Sequence, residues 1–423
     1  MKKKAIAAML SAVMLCTLPA SMVLAEENNS EEPAEITFLT WKRSELGEEN
    51  FDKVMDAFHE AHPEVKVEVQ DMPYDQVHDK ILTLSASGQM PDVIPVNSPW
   101  YLEFASNGII IPIDEYYENM DDKFKSDIEG PLWTEYDGAH YALPFDSGTI
   151  ALFYNKQILS DAGIEPPTNW DELYDAAVKV TDPEKGIYAF TGNMETEPAT
   201  CITYEVWPYM LQAGAALTEG TKAAFNTEAG VEGMEFYKKL LDAKVMTPGE
   251  LSAGEEEKRA NFSAGNIAFM IEGPWGVGIQ KTANPELEFG VVPMPAGKQE
   301  ATTASGGCMG ISSNCENPQA AWTFISWLAG EEGQTQLADI GIFPPNKSVL
   351  NSPLIQEDEY MKVFAEAYNG IAVNPDLGMP QSDELRKAFT IQVQEFISGN
   401  KTAQEALNEA AAVWNEAFEE LGK

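Results

Sequence analysis

The sequence predicts an α/β protein of more than one lobe, and three observations point there. Its 423 residues are too many for one ordinary hydrophobic core. Residues 35–96 alternate short β-rich runs with helical spacing, strand–helix–strand–helix–strand, which signals a parallel sheet. The same alternation restarts after Pro144. With 44% apolar and 22% charged residues, the chain has a globular composition.

In order, EITFLTW (35–41) is the first strand. Phe51, Val54, Met55 and Phe58 recur at i, i+3, i+4, i+7, an amphipathic helix that Pro63 closes. Val65, Val67 and Val69 alternate with polar residues as a strand does. Val77, Ile81 and Leu84 mark a second helix, stopped at Gly88. DVIPV (92–96) is the third strand, and a short helix runs from Pro99 to Ser106 with Gly108 beyond it. After Pro144, residues 150–155 form a strand, and a helix ends at Gly163. Residues 166–180 open with prolines and a capping Thr168 or Asn169 before a helix. Helices near 201–213 and after Thr227 precede strands at 266–271 and 289–294. Asn317-Pro318 caps and opens a helix through Leu328. Thr402 and Glu405 form a capping box for the last one.

The N-terminus carries an export signal. Lys2–Lys4, an apolar run at 5–18 and the small-residue site ending at Ala25 give a signal peptide over 1–25. An acidic, flexible leader at 26–34 follows. Cys16 follows bulky Leu15, a poor lipoprotein site, so cleavage after Ala25 is expected, with a lipid anchor through Cys16 as the alternative. The formal charge of −41 repels phosphate backbones and anionic lipid, which argues against nucleic acid or membrane-surface ligands. Only Arg43, Arg259 and Arg386 could supply the guanidinium forks that phosphates favour. Cys308 and Cys315 bracket a run that begins like a strand. If extended it separates them by roughly 23 Å, against the ~7 Å a disulfide allows, so no bridge is expected.

No catalytic or metal constellation is visible, and no cofactor is expected. His59-Glu60-Ala61-His62 lacks the four-residue histidine spacing of a zinc protease and abuts Pro63, so two surface histidines at a helix end are expected. The aromatics say more. Trp41 and Trp100 follow strands, where open α/β sheets bind ligands. Trp207 starts a helix after a loop, and Trp275 follows a strand in IEGPWGVG (271–278), which reads as a glycine-rich turn. Trp170, Trp322, Trp327 and Trp414 lie on helical patterns and belong to the core.

The pieces ITFLTW, FHEAHPEVKVEV, SGQMPDVI, NGIIIPI, YALPFDSGTIALFYNKQIL, GIEPPTNWDEL, FSAGNIAFMIEGPW, VVPMPAG, GGCMGISSN and AAWTFISWLAGEEGQ then decide a resemblance. In this order the chain resembles, over nearly all of its mature length, the extracellular solute-binding proteins of ATP-binding-cassette sugar importers, which include maltose-binding protein. The stretch from YNK to PPTNWDEL is the most diagnostic.

The resemblance implies a periplasmic-binding-protein-like type II fold: two α/β lobes, a hinge crossed more than once, and a ligand cleft between. The first lobe would comprise 35–144 and 306–345, the second 150–303 and 350–423. It implies a monomeric receptor that binds a carbohydrate and delivers it to membrane permease subunits. Trp275 would stack on the apolar face of a sugar ring. Tyr204 would be a second cleft aromatic, and Asp146 a carboxylate for sugar hydroxyls. Trp41, Asn97, Trp100, Glu205, Trp207 and a Gly306-Gly307 turn are further candidates. The alternatives are a receptor for a polyol or glycerol phosphate, or, from another class, a secreted carbohydrate-active enzyme. The enzyme would need two carboxylates across a scissile bond, and no motif nominates such a pair.

Overall fold

The computed structural model describes residues 33–421 except 129, 131, 197–200, 250, 374–378 and 380. The expected signal peptide, Cys16 and most of the leader lie outside the described residues. Ala34, placed in the leader by sequence, instead opens the first strand.

The strands are β1 (Ala34–Thr40), β2 (Val65–Asp71), β3 (Val93–Asn97), β4 (Ala142–Thr149), β5 (Ala151–Asn155), β6 (Phe269–Glu272), β7 (Phe289–Val292), β8 (Thr302–Ile311) and β9 (Ala372–Val373). They form two sheets. The larger has the order β2-β1-β3-β8-β4, with β9 added on β8; the smaller has the order β6-β5-β7. The parallel sheet expected from residues 35–96 is present, since β1 pairs in parallel with both β2 and β3. It continues into antiparallel partners, β3 with β8 and β8 with β4.

Alternation along the strands loads both faces of the larger sheet. Ile36, Phe38, Val93 and Met309 pack on one side with the helices Glu48–Ala61 and Pro318–Ala329. Leu39, Ile94, Val96 and Cys308 pack on the other with Tyr74–Ser87 and Tyr101–Ser106. Phe38, Phe58 and Phe324 meet edge to face at 4.9–5.0 Å. Around the smaller sheet, Leu152 of β5 faces a core containing Trp207, Phe389 and Trp414, and Phe153 faces Phe262, Phe289 and Phe364.

Helix ends are where local sequence placed them. Gly88 and Gly163 adopt the left-handed conformation at C-termini. Asn169, Thr227 and Asn317 cap N-termini through their side chains. At Thr402–Glu405 both bonds of the capping box form, at 2.9 and 3.2 Å. Cys308 lies in β8 and Cys315 beyond its end, and neither is in a disulfide.

Residues 142–149 form a fully buried strand. Two expectations change. Gly306 and Gly307 are not a turn but the middle of β8, paired to Ser147 and Asp146 of β4. Glycine-rich IEGPWGVG does not end as a loop: Trp275–Ala283 is a helix with Pro274 at its N-cap. Proline is well tolerated at a helix start, and tertiary packing outweighs the glycine cost of roughly 1 kcal/mol each.

β4 and β8 together form a two-stranded ribbon that leads out of the larger sheet, with Gly148 opposite Ser305 and Thr149 opposite Ala304. Ile150 N–H then donates to Thr303 O at 3.2 Å, and Thr302 Oγ1 to Ile150 O at 2.7 Å. A third segment joins the ribbon where Ser147 donates to Phe343 O at 2.9 Å and to Pro344 O at 3.0 Å.

Candidate functional site

A cavity partly open to solvent lies beside this ribbon. One wall comes from strand ends of the larger sheet. Trp41 follows β1 and meets Tyr74 edge-on at 5.2 Å. Asn97 ends β3, donates from Nδ2 to Tyr74 Oη at 2.6 Å, and accepts Ser98 N–H at 2.9 Å. Trp41, Tyr74 and Asn97 all line the cavity. Trp100 does not. It stacks behind Tyr74 at 5.8 Å and is 3% exposed, a support for the wall.

The floor is built on the ribbon. A bulge between Pro144 and Asp146 turns the Asp146 carboxylate onto β8. Its Oδ1 accepts the Gly307 N–H at 2.6 Å and its Oδ2 meets Lys42 Nζ at 2.7 Å. The close approach requires glycine, because a Cβ on Gly307 would lie 2.8 Å from Asp146 Oδ1. Burial works against the charge of Lys42, but Asp146 and Glu45 outweigh it and hold its pKa above the ordinary lysine value. Arg43 points away and pairs with Asp52 at 3.1 Å.

The opposite wall carries Tyr204 and Trp275, whose rings meet at 6.1 Å and 64°. Trp275 is half-buried, and its indole N–H donates to Glu272 Oε1 at 2.6 Å. Gly148 makes room for the Pro274 ring that precedes it, since a Cβ there would lie 2.6 Å from Pro274 Cδ. Arg259 and Glu255, on the helix Glu255–Ser263, complete this side 3.2 Å apart. Burial would raise the Glu272 carboxyl, but Arg259 and Lys258 lower it to about 2.

Glu205 and Trp207 do not line this cavity. Trp207 is fully buried against Phe389 and Trp414 at 6.0 and 6.1 Å, so its place after a loop concealed a core role. Glu205 is 3% exposed, and burial pushes its carboxyl up to about 8. His59 and His62 sit at the helix end, where His59 accepts Val67 N–H at 3.1 Å and His62 meets Glu64 at 3.0 Å. Among the described residues no group of three or more His, Cys, Asp or Glu side chains could hold a metal ion.

Sequence reasoning passed over Tyr74, Glu45 and Glu255, and it left open whether Lys42 or Arg43 points inward and gave Arg259 no place in the site; Tyr74, Glu45, Glu255, Lys42 and Arg259 all line the cavity. Tyr74 had a signal: it follows β2 as Trp41 follows β1. The i, i+4 spacing of Glu255 and Arg259 puts both on one helix face, but among so many acidic residues that spacing does not stand out.

Every charged group lining the cavity is paired. Lys42 meets Asp146 and Glu45, and Arg259 meets Glu255 and Glu272. What remains is aromatic surface on two sides and fixed hydrogen-bonding groups between.

Residues 44–335 match the profile of the bacterial extracellular solute-binding proteins. The chain belongs to that family. The family's members are binding proteins, and membership implies an extracytoplasmic location and the permease of an ATP-binding-cassette transporter as partner. Among relatives of this solute-binding protein, the maltotriose-binding protein of Pyrococcus abyssi is 29% identical over 75% of this chain and 68% of its own length. The arabinooligosaccharide-binding protein of Bacillus subtilis is 24% identical over 97% of this chain and 98% of its own. Among solved structures, a solute-binding protein of Thermotoga lettingae with bound α-D-tagatose superposes with a TM-score of 0.83 at 26% identity. The match covers 91% of this chain and all of that one. The GacH receptor of Streptomyces glaucescens, at 24% identity, shares the fold with a TM-score of 0.79 over 92% of this chain and 99% of its own. The two-lobe architecture is that of these sugar-binding proteins.

Proposed function

We propose that this solute-binding protein is a carbohydrate receptor that hands a neutral sugar to its importer. The observation that carries the reading is a cavity with aromatic rings on both sides and no charge left unpaired among its lining groups. A pyranose presents C–H faces to rings and hydroxyls to polar groups, and asks for no counter-charge. A phosphate ester would need Lys42 or Arg259 to leave a buried partner, at a cost of several kcal/mol. Relatives that bind maltotriose, arabino-oligosaccharides and tagatose support the same class.

Trp275, Tyr204, Trp41, Asn97, Asp146 and the Gly306-Gly307 backbone are the ligand-binding groups in this reading, joined by Tyr74 and Arg259. The lobes are 35–144 with 306–345 and 150–303 with 350–423, and they close over the ligand by bending at the β4–β8 ribbon, as periplasmic binding proteins close by hinge motion. The protein acts as a monomer, without catalysis and without nucleic acid. Its signal is cleaved after Ala25, so that mass spectrometry of exported protein finds Glu26 first; a lipid-modified Cys16 would refute that.

A thermal-shift screen against maltotriose, D-tagatose, an arabino-oligosaccharide and ribitol tests the reading, followed by product analysis. Stabilisation by a sugar with no product is the expected result. Turnover, or stabilisation only by phosphorylated compounds, would overturn it.

A further inference from the structure

The Trp275 ring is held by a carboxylate it shares with a buried ion cluster, and we propose that Glu272 is a positioning residue for sugar recognition, acting through the indole. The proposal rests on reading Trp275 as the sugar platform. Glu272 ends β6 and is fully buried. Its Oε1 accepts the Trp275 indole N–H at 2.6 Å and the Gly273 N–H at 3.1 Å. Its Oε2 accepts from Arg259 Nε at 2.9 Å and lies 3.5 Å from Lys258 Nζ. Both oxygens are therefore engaged: Oε1 by the ring and its turn, with Arg259 Nη2 at 3.5 Å, and Oε2 by the cations.

The surroundings leave the ring little else to do. It lies over Gly273, where a Cβ would come within 2.3 Å of Trp275 Cη2. A Cβ on Gly276 would meet Glu272 Cγ at 2.5 Å, so glycine at 276 lets the carboxylate pass. A half-buried ring would otherwise have two free torsions to lose on binding. A hydrogen bond to an ionised acceptor is about twice as strong as a neutral one. It fixes those torsions beforehand and presents a ready face to the sugar. Arg259 carries the constraint to the cavity surface, since it lines the cavity and pairs with Glu255.

Glu272→Gln separates this role from simple charge balance. An amide has one acceptor oxygen. If that oxygen faces the indole and Gly273, its NH2 confronts Arg259; if it faces Arg259, the NH2 confronts the indole. The mature chain, labelled with 15N-tryptophan, is compared as wild type, Glu272→Gln, Trp275→Phe and the double variant. Trp275→Phe assigns the indole resonance. Glu272→Gln is expected to move that resonance upfield, speed its exchange with water, and weaken binding of the sugar panel about fivefold, the loss of one hydrogen bond. On top of Trp275→Phe it should cost nothing further, because no N–H remains to be held. An unmoved indole resonance, or an equal loss in both backgrounds, would overturn the proposal. If Glu272→Gln does not fold, Trp275→Phe alone decides: it removes the N–H without touching the ion cluster, and binding equal to wild type sinks the idea. Normal binding by Trp275→Ala is the separate failure of the platform reading.

Discussion

Trp41 and Trp275 face one cavity from opposite walls, yet one is set by packing and the other by charge. Trp41 is 6% exposed and wedged edge-on against Tyr74 and Trp100. Its position follows from a hydrophobic cluster that also closes the sheet. Trp275 is half-buried, and its orientation depends on a carboxylate that two cations hold ionised. The first wall comes ready-made with the fold. The second depends on one buried carboxylate, so its ring can be removed with little damage to the lobe behind it. The ribbon between them, where Asp146 and Lys42 meet, belongs to both.

Breaking the shared floor should cost most. Asp146→Ala leaves Lys42 buried with only Glu45, 3.2 Å away, and orphans the Gly307 N–H. Denaturant unfolding is expected to show about 3–5 kcal/mol lost; a loss below ~1 kcal/mol would mean the pair does not organise the floor. The charged wall comes next. Trp275→Ala should weaken sugar binding by about 2–4 kcal/mol, roughly thirty- to a thousandfold by calorimetry, with a ligand-free melting temperature near wild type. Trp275→Phe should keep most of that binding. A Trp275→Ala protein that melts far below wild type but binds within about threefold would make the ring a core residue.

Glu205 tests the ground behind the charged wall. Burial is the main cause of its raised pKa, opposed by Lys258 and Tyr237 and aided by Glu255 and Glu272. A carboxyl whose pKa is raised on folding stabilises in its neutral form. That contribution is complete below the ordinary value of 4.5 and is lost as pH rises toward about 8. The melting temperature of Glu205→Gln should therefore exceed wild type by a few degrees at pH 8, with the gap closing toward pH 5. A gap independent of pH would remove the titration from Glu205. The packed wall should yield least: Tyr74→Phe deletes the hydroxyl that takes the Asn97 bond and costs about 0.5–1.5 kcal/mol of stability. Sugar binding should hardly change, because the stacked rings stay. A larger binding loss would show that the wall is set by that hydrogen bond.

Local chemistry wrote what the sequence determined by itself. Caps at Asn169, Thr227, Asn317 and Thr402, glycine stops at Gly88 and Gly163, and the alternation of Val65 and Val67 act within a few residues, so each was legible where it stood. The strand-end rule found Trp41 because β1 is short, regular and parallel, and it would have found Tyr74, but it also picked Trp100, which supports the wall without lining it. Family order pointed to Asp146, Tyr204 and Trp275, which the fold brings to one cavity. The rest depended on partners far away in the chain. Trp100, Trp207 and Trp275 all stand at element junctions, and only packing separates a support, a core residue and a lining ring. IEGPWGVG looks like a turn until Glu272, Arg259 and Gly148 close around it. Lys42 and Arg43 are neighbours of like charge; a helix separates their directions by about 100°, and Asp146, more than a hundred residues away, decides which one is buried.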